Sequence, residues 1–293
     1  MSDMDEFSKL VLEISDSKNT DFYLYSDSIY DAQCQKIIEI LRQQSPKRDN
    51  AGLILCTLGG SPDAAYQITR CFKRFYKKFN LYVFGNCKSA GTLIAVGADE
   101  IVMSEFGHFG PLDVQLANKE EFYGQTAALD VKQALTTISQ IASDNFMDYF
   151  LKLDPGKSLS TKAACEIAKS LSLGIVEPIA SQIDPLLLGQ VDRSMRIAGA
   201  YIDRLRPNFL GKSKLISDYP SHSFAIDFQE AKGIFPLIRE PDEHERQVEN
   251  KLRSWNRLPN PNPWIGVLSP PKVQNDEPAI DNSGPKPADP SPA

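Results

Sequence analysis

Between residues 21 and 103 the chain alternates short apolar runs with amphipathic stretches, and this alternation constrains the fold more than any other feature. Residues 21–25 (DFYLY), 53–57 (LILCT), 81–84 (LYVF) and 101–103 (IVM) are short, mostly apolar runs that read as strands, the second fit for a buried parallel strand. The intervening segments 28–43 and 62–78 carry apolar residues at helical spacing, and another apolar helix is expected to open near Ser89. Pro62 falls in a first turn, where its missing N–H costs nothing. Strand and helix in strict alternation predict an α/β fold with parallel strands joined by right-handed crossovers.

The flanks read differently. Residues 1–18 predict a short N-terminal helix with Phe7, Leu10, Val11 and Ile14 on one face. After Asp113 the strand pattern is expected to stop. Residues 126–153, 161–183 and 189–206 predict an α-rich second half that packs on the sheet and carries oligomer contacts. The body is expected to span residues 19–250, followed by a proline-rich tail at 251–293. Ten of the chain's 20 prolines lie between residues 259 and 293, a composition that cannot offset the entropy of ordering and predicts disorder. Trp264, Ile265, Val267 and Leu268 form an apolar exception, able to dock on the body or on a partner.

The chain has 293 residues and a formal charge of −6, so nucleic acid and anionic membrane, which favour basic surfaces, are not expected partners. No apolar run approaches the roughly 18–20 residues of a membrane span. The acidic start MSDMDEFSKL lacks a secretion signal's basic and apolar regions, which predicts a cytosolic setting. Five cysteines without a CxxC pair, beside only three histidines, argue for free thiols and against a metal site. Neither a dinucleotide fingerprint nor a phosphate-binding P-loop is present, and no cofactor is expected.

Three segments carry chemistry. Thr57-Leu58-Gly59-Gly60-Ser61-Pro62 runs from a strand through two glycines into a helix; such glycines let N–H groups face a developing oxyanion, although they also serve plain strand–helix turns. Gly85-Asn86-Cys87-Lys88-Ser89-Ala90-Gly91 sets a serine at the next strand-to-helix turn. A hydroxyl there stands over the sheet edge in the field of a helix N-terminus, suited to a nucleophile and equally to a helix cap. Gly107 to Gln115 forms a loop rich in Gly, His and Asp, of the kind that lines a cleft.

In order and spacing these segments resemble the serine peptidases built on the crotonase-like fold, the Clp protease proteolytic subunit and signal peptide peptidase A. The run Gly110-Pro111-Leu112-Asp113-Val114-Gln115, with His222 ahead of Ile226-Asp227-Phe228-Gln229-Glu230-Ala231, is most similar to the serine dehydrogenase proteinase branch. The resemblance implies a ClpP/crotonase-like α/β fold with a parallel ββα-type sheet. It implies Ser89 as nucleophile, the N–H groups of Gly60 and Ala90 as oxyanion hole, and substrate contacts at Gly59 and Ser61. Each oxyanion donor is worth on the order of 3 kcal/mol in the transition state.

The base is less determined. His222 is the leading candidate with Asp113 as its orienting carboxylate, beside Lys132, Lys152 and His108 as alternatives, and a structural role for His222 remains open. His244, in a charged helix, reads as solvated. Arg70, Lys73, Arg74, Lys77 and Lys78 recur at helical steps, as a solvated face or as a docking face for an acidic partner. The expected function is a cytosolic, homo-oligomeric serine peptidase acting on peptides or unfolded proteins through an acyl-enzyme. The alternative is an inactive crotonase-fold binding or assembly module. A thioester enzyme of the same fold would not need Ser89. The sequence names no ATPase partner.

Overall fold

The computed structural model describes residues 3–112, 115–117, 125–153, 159–221, 223–258 and 260–271. The first half runs α1 (Asp3–Lys18), β1 (Thr20–Ser26), α2 (Asp31–Gln43), β2 (Asn50–Cys56), α3 (Pro62–Phe75), β3 (Lys78–Val83), β4 (Asn86–Cys87), α4 (Ala90–Gly97), β5 (Glu100–Met103) and β6 (His108–Phe109). It continues through β7 (Gln115–Ala117), β8 (Gln125–Ala127), α5 (Ala128–Lys152), α6 (Thr161–Ala180) and α7 (Pro185–Leu205). A π turn at Lys214–Asp218 precedes α8 (Phe228–Lys232), β9 (Ile238–Arg239), α9 (Glu243–Ser254) and β10 (Trp264–Val267).

The main sheet has the order β10-β1-β2-β3-β5-β9, parallel throughout except for β10 at the edge. Its apolar strands alternate between two cores. Tyr23, Tyr25, Leu53, Leu55, Leu81 and Val83 pack with α2, α3 and α4 on one face; Phe22, Leu24, Ile54, Tyr82 and Val102 pack with α1 and α9 on the other. Covering both faces is why these strands show no polar side. The α/β class and parallel core expected from the sequence are present. No helix among the described residues is long and apolar enough to cross a membrane.

Several expectations change. Strands do not stop after Asp113, since β7 pairs with β8 and both β9 and β10 join the main sheet. α3 ends at Phe75, so Lys77 lies beyond the helix and Lys78 opens β3. The tail boundary expected at residue 251 falls inside α9, and the body continues through Pro271. Within it β10 lies antiparallel to β1, with Ile265 opposite Tyr25, and Ser269 Oγ accepts from Phe22 N at 2.7 Å. The apolar exception in the tail is thus an edge strand.

Buried charge is paired. Arg48 holds Asp21 at 2.9 Å and Asp16 at 2.7 Å, and Glu245 at the start of α9 receives Arg239, Lys18 and Tyr82. Burial works to raise the Glu245 carboxyl, but hydrogen bonds from Arg239 and the Asp242 N–H, with the Arg239 and Lys18 charges, outweigh it and hold it below its ordinary 4.5. A depressed carboxylate stabilises the fold above its unfolded value and loses that contribution as pH falls through the folded one. Unfolding free energy is therefore expected to drop below pH 4.5, with a shallower drop in Glu245→Gln, measured by denaturant titration across that range. Equal acid slopes in the two proteins would refute this assignment.

Candidate active site

The site forms where β2 and β4 end. Thr57, just past β2, donates its N–H to Asn86 O at 2.7 Å and accepts from Lys88 N at 3.0 Å, which lashes the two turns together. Gly59 and Gly60 follow at φ of 112° and 143°, left-handed conformations open to glycine. The chain also passes too close for a side chain. A Cβ on Gly60 would lie 2.1 Å from Ile29 O, and one on Gly59 would lie 2.7 Å from Ser89 Cβ. The glycine pair is therefore fitted around the serine.

Ser89 stands at the N-terminus of α4 with φ 49° and ψ −112°. Positive φ at a residue bearing a Cβ stores strain of order 1–3 kcal/mol, and such strain persists where the surroundings over-determine it. Here the bonds of Thr57 to β4 and the close contact with Gly59 do so. Ser89 does not cap α4 through its side chain. A serine serving only as a cap would adopt the β region and accept from the first turn; Ser61 does this for α3, accepting from Ala64 N at 3.3 Å.

Beside Ser89 lies a pocket of about 20 Å³, lined by Gly60, Pro62, Ala90, Leu93, Leu112 and Ala198. The Gly59 N–H is occupied by Thr57 Oγ1 at 3.1 Å, whereas among the described residues no backbone acceptor takes the N–H groups of Gly60 or Ala90. Both residues line the same pocket as Ser89, and α4 directs its positive end there.

A second wall closes on this turn. Lys88 Nζ donates to Ser223 O at 3.1 Å and Phe224 O at 3.3 Å, reaching across Gly110, where a Cβ would lie 2.7 Å from its Cδ. Phe109 and Ile226 exchange two backbone bonds of 3.0 Å, and buried Thr92 Oγ1 donates toward Gly110 O at 2.7 Å and Cys87 O at 3.1 Å. The Gly-Pro-Leu loop and the 223–226 segment are thus pinned to the serine turn. The sequence marks Gly110 without its reason and gives no individual role to Lys88, Thr92 and Thr57. The available signal was a long cation, Lys88, immediately before the serine, with Gly110 in the loop that follows β6.

His222 and Asp113 lie outside the described residues, as does the side chain of Lys132. His108, in β6 beside β4, is half-buried; burial first, and then the Lys88 charge, lower its pKa, so it is neutral at pH 7. Lys152 is exposed and bound to Asp148 at 2.7 Å, which raises its pKa and keeps it charged, unfit as a base. His244 is exposed on α9, as expected. Cys34, Cys56 and Cys87 are buried thiols outside any disulfide, Cys34 and Cys56 pushed by burial up to about 11 and about 12.

A sequence model of the family described as ClpP-like SDH-type serine proteinase matches residues 27–176, which include every described element of this site up to Leu112. Two uncharacterised proteins of Methanocaldococcus jannaschii are 33% identical over 146 residues and 32% identical over 145. Each match covers 46% of this chain, which spans about half the length of these curated relatives (51% and 49%). Among solved structures, ClpP1 from Listeria monocytogenes aligns over 80% of this chain and 98% of its own, at 14% identity and TM-score 0.42. The ClpP catalytic domain from Plasmodium falciparum aligns over 79% and 91%, at 11% identity and TM-score 0.39.

Proposed function

The chain belongs to the ClpP-like SDH-type serine proteinase family, and from that premise we propose that it is a peptidase that cleaves peptide bonds through an acyl-enzyme on Ser89. The observation that carries this reading is the strained backbone of Ser89 beside Gly59 and the pocket, which presents the hydroxyl instead of spending it on a cap. In the reaction Ser89 Oγ attacks the substrate carbonyl carbon while a base removes its proton. The carbonyl oxygen gains the negative charge and is received by the N–H groups of Gly60 and Ala90, which have no other described backbone acceptor. Collapse of the tetrahedral adduct expels the amine, which takes the proton, and water then repeats the sequence on the ester. The small pocket suits a small side chain at the acyl residue.

His222 is proposed as the base and Asp113 as its orienting carboxylate. The bonds of Lys88 to the two residues after His222 support this, because they tie that stretch of chain to the residue preceding Ser89. Hydrolysis should then rise with pH through an apparent pKa of roughly 6–7, and His222→Gln should lose at least ~100-fold in rate. Near-normal turnover in that variant would remove His222 from the mechanism.

The function itself is tested by treating the protein with a fluorophosphonate probe and mapping the labelled peptide. Label on Ser89 is expected; no labelled serine under conditions where the fold is intact would favour a binding or assembly module. A cytosolic setting and a homo-oligomeric state complete the proposal. Ile141, Met147 and Leu151 of α5, with Leu171, Leu173, Ile175 and Ile179 of α6, are large exposed hydrophobics on a helix pair. Patches of this kind mark interfaces. Light scattering at micromolar concentration is expected to give a multiple of the chain mass; a monomer mass there would oppose assembly through this pair.

A further inference from the structure

α3 and α7 run alongside each other away from the serine. At the Ser89 end Pro62 and Ala198 line the pocket. Next along the pair, Tyr201 donates to Asp63, and the rings of Tyr66 and Tyr201 stack with centroids 4.4 Å apart. Beyond the stack lies a groove of about 560 Å³ whose lining includes Arg70, Cys71, Lys73, Arg74 and Arg204.

These cations stand in a defined setting. Arg70 lies over Tyr66 at 5.7 Å and Arg204 over Tyr201 at 5.8 Å, so aromatic rings support both guanidinium groups. The charges of Arg42, Arg70 and Arg74 all reach the Cys71 thiol in the groove wall, opposing the rise that burial causes there. Lys73 is bound to Asp99 and Gly97 O, but Arg70, Arg74 and Arg204 have no ion-pair partner among the described residues. Arginines at helical steps and across a groove repel one another. In a chain of net charge −6 they remain clustered without a neutralising carboxylate. A solvated helix face explains cations on α3 alone; it does not explain Arg204 meeting them from α7 over a concave surface.

We propose that this groove is an exosite that binds carboxylate side chains of a peptide lying along the α3–α7 seam, an inference that rests on Ser89 being the nucleophile. Guanidinium groups favour carboxylates through paired N–H donors. From Pro62 to Arg70 is eight residues of helix, about 12 Å. An extended peptide covers that distance in about four residues. The preferred substrate therefore carries Asp or Glu about four residues from a small residue at the scissile bond.

The test uses two peptides that share a small residue at the cleavage position and differ only in a run of Glu or of Gln about four residues away. Binding is measured with fluorescein-labelled peptides on full-length Ser89→Ala protein, and cleavage on the active protein. The Glu peptide is expected to bind at least ~10-fold tighter, with the preference fading as salt rises. In the active protein, Arg70→Gln with Arg204→Gln should bring the kcat/KM ratio of the two peptides near one, with an unchanged melting temperature confirming the fold. If Ser89 labels with fluorophosphonate but both peptides are bound and cleaved alike, the exosite is overturned while the peptidase reading stands. If no serine labels yet the Glu peptide binds through the arginines, the groove stands as a carboxylate-binding site, while the peptidase reading and with it the exosite role fall. Tight binding of pyrophosphate without binding of the Glu peptide would make the groove a phosphate site and overturn the proposal.

Discussion

Ser89→Ala is expected to abolish fluorophosphonate labelling and to slow peptide hydrolysis by about 10⁴–10⁶-fold, the scale on which serine peptidases lose rate without their nucleophile. The same change should scarcely alter stability. Alanine keeps the Cβ beside Gly59 and the backbone at φ 49°, so the strain and the packing of the turn are both retained. Ser89→Gly separates the two properties. It also removes the nucleophile, but it relieves the positive φ and should be about 1 kcal/mol more stable than Ser89→Ala. A protein in which Gly is no better than Ala there would show that the serine turn is unstrained. Labelling retained in Ser89→Ala would move the nucleophile elsewhere.

The parallel core was legible because its strands are buried on both faces, which leaves continuous apolar runs that no helix of that length would need. Ser89 and the Gly59-Gly60 pair were legible as positions, since both sit where a strand gives way to a helix. Their mutual contact was not, because the closeness that would leave a Cβ on Gly59 only 2.7 Å from Ser89 Cβ depends on two turns separated by a whole βα unit. Lys88 was overlooked for a related reason. A lysine in a loop is usually solvated, and its bonds to Ser223 and Phe224 involve carbonyls that no side-chain pattern reveals. The end of α3 was placed late because Lys77 and Lys78 continue a helical charge rhythm. In the fold Lys77 N bonds Asp49 O, and the chain enters β3 at Lys78. Short edge strands failed differently: β9 has two residues and β10 sits among prolines, so window composition outweighed the few apolar side chains that dock.

Removing everything after Leu258 is the second large effect expected. The cut deletes β10, exposing the backbone of β1 along Tyr23 to Ser26 and the buried contact of Ile265. It also strips Ser269 from Phe22 N and Pro270 O from Arg48. Loss of one buried Ile and several hydrogen bonds, partly offset by the entropy of the freed residues, amounts to about 2–4 kcal/mol. For a chain of this size the melting temperature should fall by roughly 5–10 °C. Cutting after Pro271 keeps each of these contacts and should leave the melting temperature unchanged. The effect should also reach the site, because Asn86 Nδ2 donates to Asn260 Oδ1 at 2.7 Å and Asn86 lies in β4, three residues before Ser89. With that bond gone the turn holding Ser89 at positive φ has one restraint fewer, so fluorophosphonate labelling should slow even at temperatures where the shortened protein is fully folded. Equal melting and equal labelling rates for the two truncations would mean that the edge strand contributes neither to the sheet nor to the serine.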